Sequence, residues 1–94
     1  MKVSNDDYNK IKAAILRKLV IQNVWGAKHT AYDNLPKGLP KDKRGFAKEV
    51  ADSLIKDGMI LEKPTNYGLH ISLNPEKARE IKTFLLTYDK NNMV

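Results

Sequence analysis

Residues 59–73 constrain this chain more than any others. Met59-Ile60-Leu61-Glu62-Lys63 and Leu69-His70-Ile71-Ser72-Leu73 are two short apolar runs, the second alternating strictly, and Pro64-Thr65-Asn66-Tyr67-Gly68 joins them. The pattern predicts two strands, 59–63 and 69–73. The loop 64–68 predicts a hairpin turn, with asparagine and glycine taking its unusual backbone angles. An isolated two-stranded hairpin is marginal in water. The face made by Leu69, Ile71 and Leu73 needs a cover, and only the helical remainder of the chain can supply one.

That remainder reads as amphipathic helices. Ser4-Asn5-Asp6-Asp7 offers a helix cap with acids in the first turn, where the helix dipole favours them. Tyr8, Ile11, Ile15 and Leu19 then recur at steps of three and four, with Leu16 and Val20 widening the stripe, over roughly residues 6–23. Gly26 is expected to punctuate the end. Residues 30–35 make room for one short helix capped by Thr30, burying Leu35 with Tyr32 or Ala31; Pro36, Gly38 and Pro40 forbid anything longer. Pro40 suits the first position of the next helix, over roughly 41–57, whose stripe is Phe46, Ala47, Val50, Ala51, Leu54 and Ile55. Gly58 then serves as a left-handed cap. Asn74-Pro75-Glu76 opens a final helix with Ala78, Ile81, Leu85 and Tyr88 on one face, and residues 89–94 are expected to fray.

The order helix, short helix, helix, hairpin, helix is that of an α+β winged helix-turn-helix. Three N-terminal helices precede a two-stranded wing, and a C-terminal helix closes it. At 94 residues the chain suits one domain, residues 1–94, with one small core. The N-terminal residues carry no apolar run, and no segment nears the roughly 20 apolar residues that span a bilayer, so a cytoplasmic protein without a membrane partner is expected. The absence of cysteine excludes disulfides and thiolate metal sites. Two histidines, far apart in the sequence, do not make a metal site, and no cofactor is expected. No nucleophile elbow, P-loop or paired carboxylates in an apolar setting points to an enzyme.

The charge is more informative. The net +6 is concentrated between residues 10 and 48, where ten Lys/Arg face only Asp33 and Asp42, a local +8. Residues 49–94 carry a local −1. A one-sided basic field is the footprint of a polyanion; the alternative is a solvated charged face. In a helix-turn-helix the first half of the second helix enters the major groove. Lys41, Arg44 and Lys48, spaced three and four, are then expected to face double-stranded DNA, and Lys28, Lys37 and Lys43 to reach flanking phosphates. Arg44 alone suits bidentate guanine readout, so sequence specificity should be modest. Gly45 permits close backbone approach. His29 meets a phosphate or caps a backbone group. On the wing, Lys63, Asn66, Tyr67 and His70 offer donors and one aromatic ring, though Tyr67 suits the core equally well. Asp33 and Asp42 read as charge-balancing or capping groups, and Trp25 as a packing residue.

Several runs carry a resemblance. Trp25-Gly26 followed by Lys28-His29-Thr30, then Asn34-Leu35-Pro36-x-Gly38, Arg44-Gly45, and above all Lys63-Pro64-Thr65-Asn66-Tyr67-Gly68-Leu69-His70-Ile71-Ser72-Leu73-Asn74-Pro75 resemble a group of small archaeal winged-helix proteins over nearly the full chain. That resemblance implies a winged-helix fold and association with nucleic acid. In size, charge and expected fold the chain is also similar to the small basic accessory subunit of an archaeal B-family DNA polymerase. This implies a protein–protein role at a DNA polymerase or another replication protein. RNA or a ribosome as the partner stays open.

Overall fold

The computed structural model describes residues 4–91. Helix α1 spans Asn5–Ile21 and strand β1 Thr30–Ala31; 3-10 segments come next at Tyr32–Gly38 and Lys41–Phe46. Helix α2 spans Ala47–Lys56, β2 Ile60–Thr65 and β3 Gly68–Leu73; a 3-10 turn at Pro75–Lys77 leads into α3, Ala78–Asn91. The fold is α+β, with a three-stranded antiparallel sheet in the order β1-β3-β2.

The helix ends obey local chemistry. The Ser4 hydroxyl accepts from Asp7 N at 3.2 Å and starts α1. The helix stops two residues earlier than its apolar stripe suggests. Asn23, at φ 56°, ends it, with Asn23 N bonded to Val20 O and Val24 N to Leu19 O. This is a Schellman termination built on a left-handed asparagine, so Gly26 lies beyond the helix, where its N–H bonds Leu73 O. Gly58 ends α2 in the same way at φ 83°, with bonds from Gly58 N to Ile55 O and from Met59 N to Leu54 O. Asn74 caps the last helical segment through Glu76 N, with Pro75 at its first position.

The region between α1 and α2 departs most from the expected helices. Thr30 is not a helix cap; Thr30 and Ala31 pair with Ile71 and His70. The segment Tyr32–Gly38 is 3-10 rather than α, and Pro36, which has no N–H to donate, sits inside it. Leu35 and Leu39 are buried and anchor this turn. Pro40 is the N-cap rather than the first helical residue of the next segment, whose opening six residues are also 3-10. With no side-chain acceptor at the cap and Gly45 close behind, nothing local enforces α geometry until Ala47 enters the core. The hairpin is longer than its alternation indicates. Its register runs from Ile60↔Leu73 to Thr65↔Gly68 and leaves only Asn66 and Tyr67 as loop. Gly68 takes the unusual angle, φ 115°, and Asn66 does not.

One core unites the elements. Ile11, Ile15, Leu16 and Leu19 from α1 meet Val50, Ala51 and Leu54 from α2, Ile60, Ile71 and Leu73 from the sheet, and Ile81 from α3. Each fully buried Leu or Ile contributes about 1.5–3 kcal/mol. That burial holds a hairpin that would be marginal alone. Helix α3 lies against α1 through Ile81, an Arg17–Asp89 ion pair, and the Lys12 ammonium 4.2 Å from the Phe84 ring centroid. Helix α3 continues as far as Asn91, through residues where the sequence predicts fraying, and Asp89 pairs with Arg17 in that stretch; residues 92–94 of that expectation lie outside the described residues.

Candidate nucleic-acid interface

The basic residues divide by what they touch. Lys43 is half-buried, and its ammonium donates to Asp7 Oδ1 at 2.7 Å, with Asp42 at 3.7 Å. It ties the second 3-10 segment to the start of α1. The hydrogen bond from Lys43 holds the Asp7 carboxyl below its ordinary range, and the same bond raises the Lys43 ammonium. Lys48 donates to Asp33 Oδ1 at 2.9 Å and lies 5.4 Å from the Tyr32 ring centroid. That bond lowers the Asp33 carboxyl. Tyr32 in turn donates to Asp52 Oδ1 at 2.7 Å; burial first, and the Asp52 carboxylate second, push its phenol up. Asp33 and Asp42 do balance charge, as their basic neighbours in the sequence suggest.

Lys37, Lys41 and Arg44 are exposed. In a 3-10 segment residues three apart eclipse one another, so Lys41 and Arg44 share a side while Lys48, on α2, does not continue their row. Arg44 Nε donates to Leu39 O at 3.1 Å, which uses one of five guanidinium N–H donors and leaves its outer fork open. Gly45 comes directly after. A side chain built there meets nothing within 4 Å, and its φ is not left-handed, so neither packing nor backbone geometry requires glycine.

The second cluster lies on the β2–β3 hairpin and the residues just before β1. His29 and His70 are not distant: their Nδ1 atoms are 2.8 Å apart and their rings meet edge to face. This bond needs one Nδ1 carrying hydrogen and the other bare. Lys63 registers across from His70 on β2, and Lys28 precedes His29. Two ring nitrogens fall short of the three or four protein ligands a zinc site uses. Among the described residues no group of three or more His, Cys, Asp or Glu converges to hold a metal. Asn66 and Tyr67 stand at the hairpin tip. Tyr67 is 94% exposed, so it does not lie on the core. Trp25 is half-buried, bridged to Leu73, with the Lys82 ammonium 5.8 Å from its ring centroid.

Sequence reasoning missed the second role of Asp7. Its place in a first turn explains it fully as a helix-dipole acid, and nothing local marks it as the partner of a lysine 36 positions away. No described helix is long and apolar enough to cross a membrane. No protein-family profile, curated protein or solved structure matches the chain.

Proposed function

We propose that this chain is a non-catalytic winged-helix domain that binds double-stranded DNA with modest sequence specificity. The order α1, β1, 3-10 turns, α2, β2, β3, α3 supports the fold reading, with the second 3-10 segment and α2 in the recognition position and the β2–β3 hairpin as wing. The observation that carries the binding reading is the exposed pair Lys41 and Arg44, on one side of their 3-10 segment and followed by Gly45, a glycine that no internal contact requires; Lys37, in the preceding segment, is exposed as well. Gly within a helical segment costs about 1 kcal/mol against Ala. A bare backbone beside the exposed Lys41 and Arg44 suits close approach of a phosphate chain. Lys28 and Lys63 extend the basic surface to the wing, with the His29–His70 pair between β1 and β3 beside them.

The test is titration of a random-sequence duplex at low salt. Binding should be about micromolar or weaker once salt is physiological, as expected of phosphate-dominated contact. Absence of binding at low salt would sink the reading.

A second reading, a protein–protein accessory subunit, has its own observation. Ile21 is 76% exposed beside a groove lined by Ala14, Arg17, Lys18, Gln22 and Gly38, and Leu86 on α3 is 72% exposed. Capture of the same partners from native lysate before and after nuclease treatment would favour this reading; loss of them on nuclease treatment favours nucleic acid.

A further inference from the structure

Of the two Phe, one Trp and four Tyr, only Tyr67 presents an exposed ring. The others pack at least partly against the protein. In so small a domain an aromatic ring left in water forgoes one of the larger burial gains open to the chain. Among the described residues the other exposed large apolar side chains, Ile21 and Leu86, are aliphatic and lie on helices. Tyr67 instead sits at the apex of a hairpin, displayed at the end of two paired strands.

The apex is held in place. Thr65 Oγ1 accepts from Tyr67 N at 3.0 Å and donates to Gly68 O at 2.7 Å, so one hydroxyl closes both sides of the turn. The ladder continues directly below through Pro64↔Leu69 and Lys63↔His70. The backbone at the tip is therefore hydrogen-bonded without a ligand, which lowers the cost of binding there. The flank is open as well: a side chain built on Gly68 would meet nothing within 4 Å. Asn66 is the polar neighbour of Tyr67 in the loop, and Lys63, paired across from His70, lies two ladder steps below the Thr65↔Gly68 pair that closes the turn.

A flat apolar surface with a lysine on the same hairpin fits a flat apolar group that carries an anion. A nucleobase on its phosphate chain is such a group. The free face decides which nucleobase. A base inside a continuous duplex has both faces covered by its neighbours, so stacking on it requires unstacking first. An unpaired or terminal base offers a bare face, and base–aromatic stacking tolerates any sequence. We propose that Tyr67 stacks on unpaired or terminal bases, and that the protein thereby prefers gaps and duplex–single-strand junctions to continuous duplex. This rests on the nucleic-acid reading above and narrows its substrate class.

The test compares two probes of one sequence. One is a duplex whose ends are closed by non-nucleotide linkers; the other is the same duplex with a short single-stranded gap carrying the fluorescent base aminopurine. The wild-type protein should bind the gapped probe about tenfold tighter and quench its fluorescence. Tyr67→Phe should keep both effects. Tyr67→Ala should lose the quenching and bind both probes as wild type binds the closed one. Its melting temperature should not move, because the ring touches no core. Equal binding of both probes by wild type, or a preference that survives Tyr67→Ala, would overturn the stacking proposal and leave duplex binding intact. Failure of wild type to bind either probe at low salt would overturn both.

Discussion

The partition of the basic residues makes a quantitative prediction about salt. Seven cations form the expected binding set: Lys28, Lys37, Lys41, Lys43, Arg44, Lys48 and Lys63. Two of them are held by carboxylates, Lys43 by Asp7 and Lys48 by Asp33. Five remain without an ion pair among the described residues. Each phosphate neutralised contributes about −0.9 to the slope of log K against log[salt], so five give a slope of about −4.5 and a roughly 500-fold loss of affinity between 50 and 200 mM salt. Replacing Lys37 and Lys41 together by Ala should bring the slope to about −2.7 and shrink that loss to about 40-fold. Replacing Lys43 and Lys48 by Ala should leave the slope near its wild-type value, because those charges already face carboxylates. Asp33→Asn releases Lys48 and should steepen the slope by up to about 0.9. Fluorescence anisotropy of one random-sequence duplex across a salt series reads all four proteins, with melting curves confirming that each is folded. If the Lys43/Lys48 pair lowers the slope as much as the Lys37/Lys41 pair, the ion pairs open on binding and this reasoning fails.

Other consequences are independent of DNA. Ser72 is fully buried on β3, and its hydroxyl has no hydrogen-bond partner among the described residues; Ser72→Ala should therefore stabilise the fold by about 1 kcal/mol, raising Tm by about 4–8 °C in a domain of this size. A fall in Tm would show that the hydroxyl is satisfied. Gly58→Ala should cost about 1–2 kcal/mol in a urea melt, from the left-handed backbone alone, since the added Cβ would lie an ordinary 3.8 Å from Lys77 Cε. For the Asp7–Lys43 pair the folded carboxyl is depressed, so its contribution is fully present above the ordinary value of 3.8 and is lost as pH falls through the lower folded value. Asp7→Asn should then melt below wild type at neutral pH, with the gap closing only in acid; a gap that persists unchanged at the acid end would assign the difference to something other than the ion pair.

What the sequence alone determined is what depends on neighbours close in the chain. The stripe from Ile11 to Leu19, the Ser4 and Asn74 caps, the Gly58 termination and the hairpin between β2 and β3 each arise from residues a few positions apart, where helix period, capping and turn chemistry act. The exposure of Lys37, Lys41 and Arg44 was legible because charge in a turn-forming segment has no apolar alternative; the expected row Lys41, Arg44, Lys48 was not, since its spacing holds only if residues 41–48 are α-helical throughout. The remainder required the tertiary structure. Strand β1 is two residues long with no periodicity of its own, and Thr30 and Ala31 are extended because β3 offers them a ladder. The 3-10 geometry of residues 41–46 reflects the path the chain must take from Leu39 into the core at Ala47, against a stripe that reads equally well as α. Electrostatic partners are set by distance in space: Lys43 and Lys48 resemble Lys41 in sequence and differ only because Asp7 and Asp33 fold against them. The same holds for His29 and His70, 41 positions apart, which adjacent strands bring within one hydrogen bond.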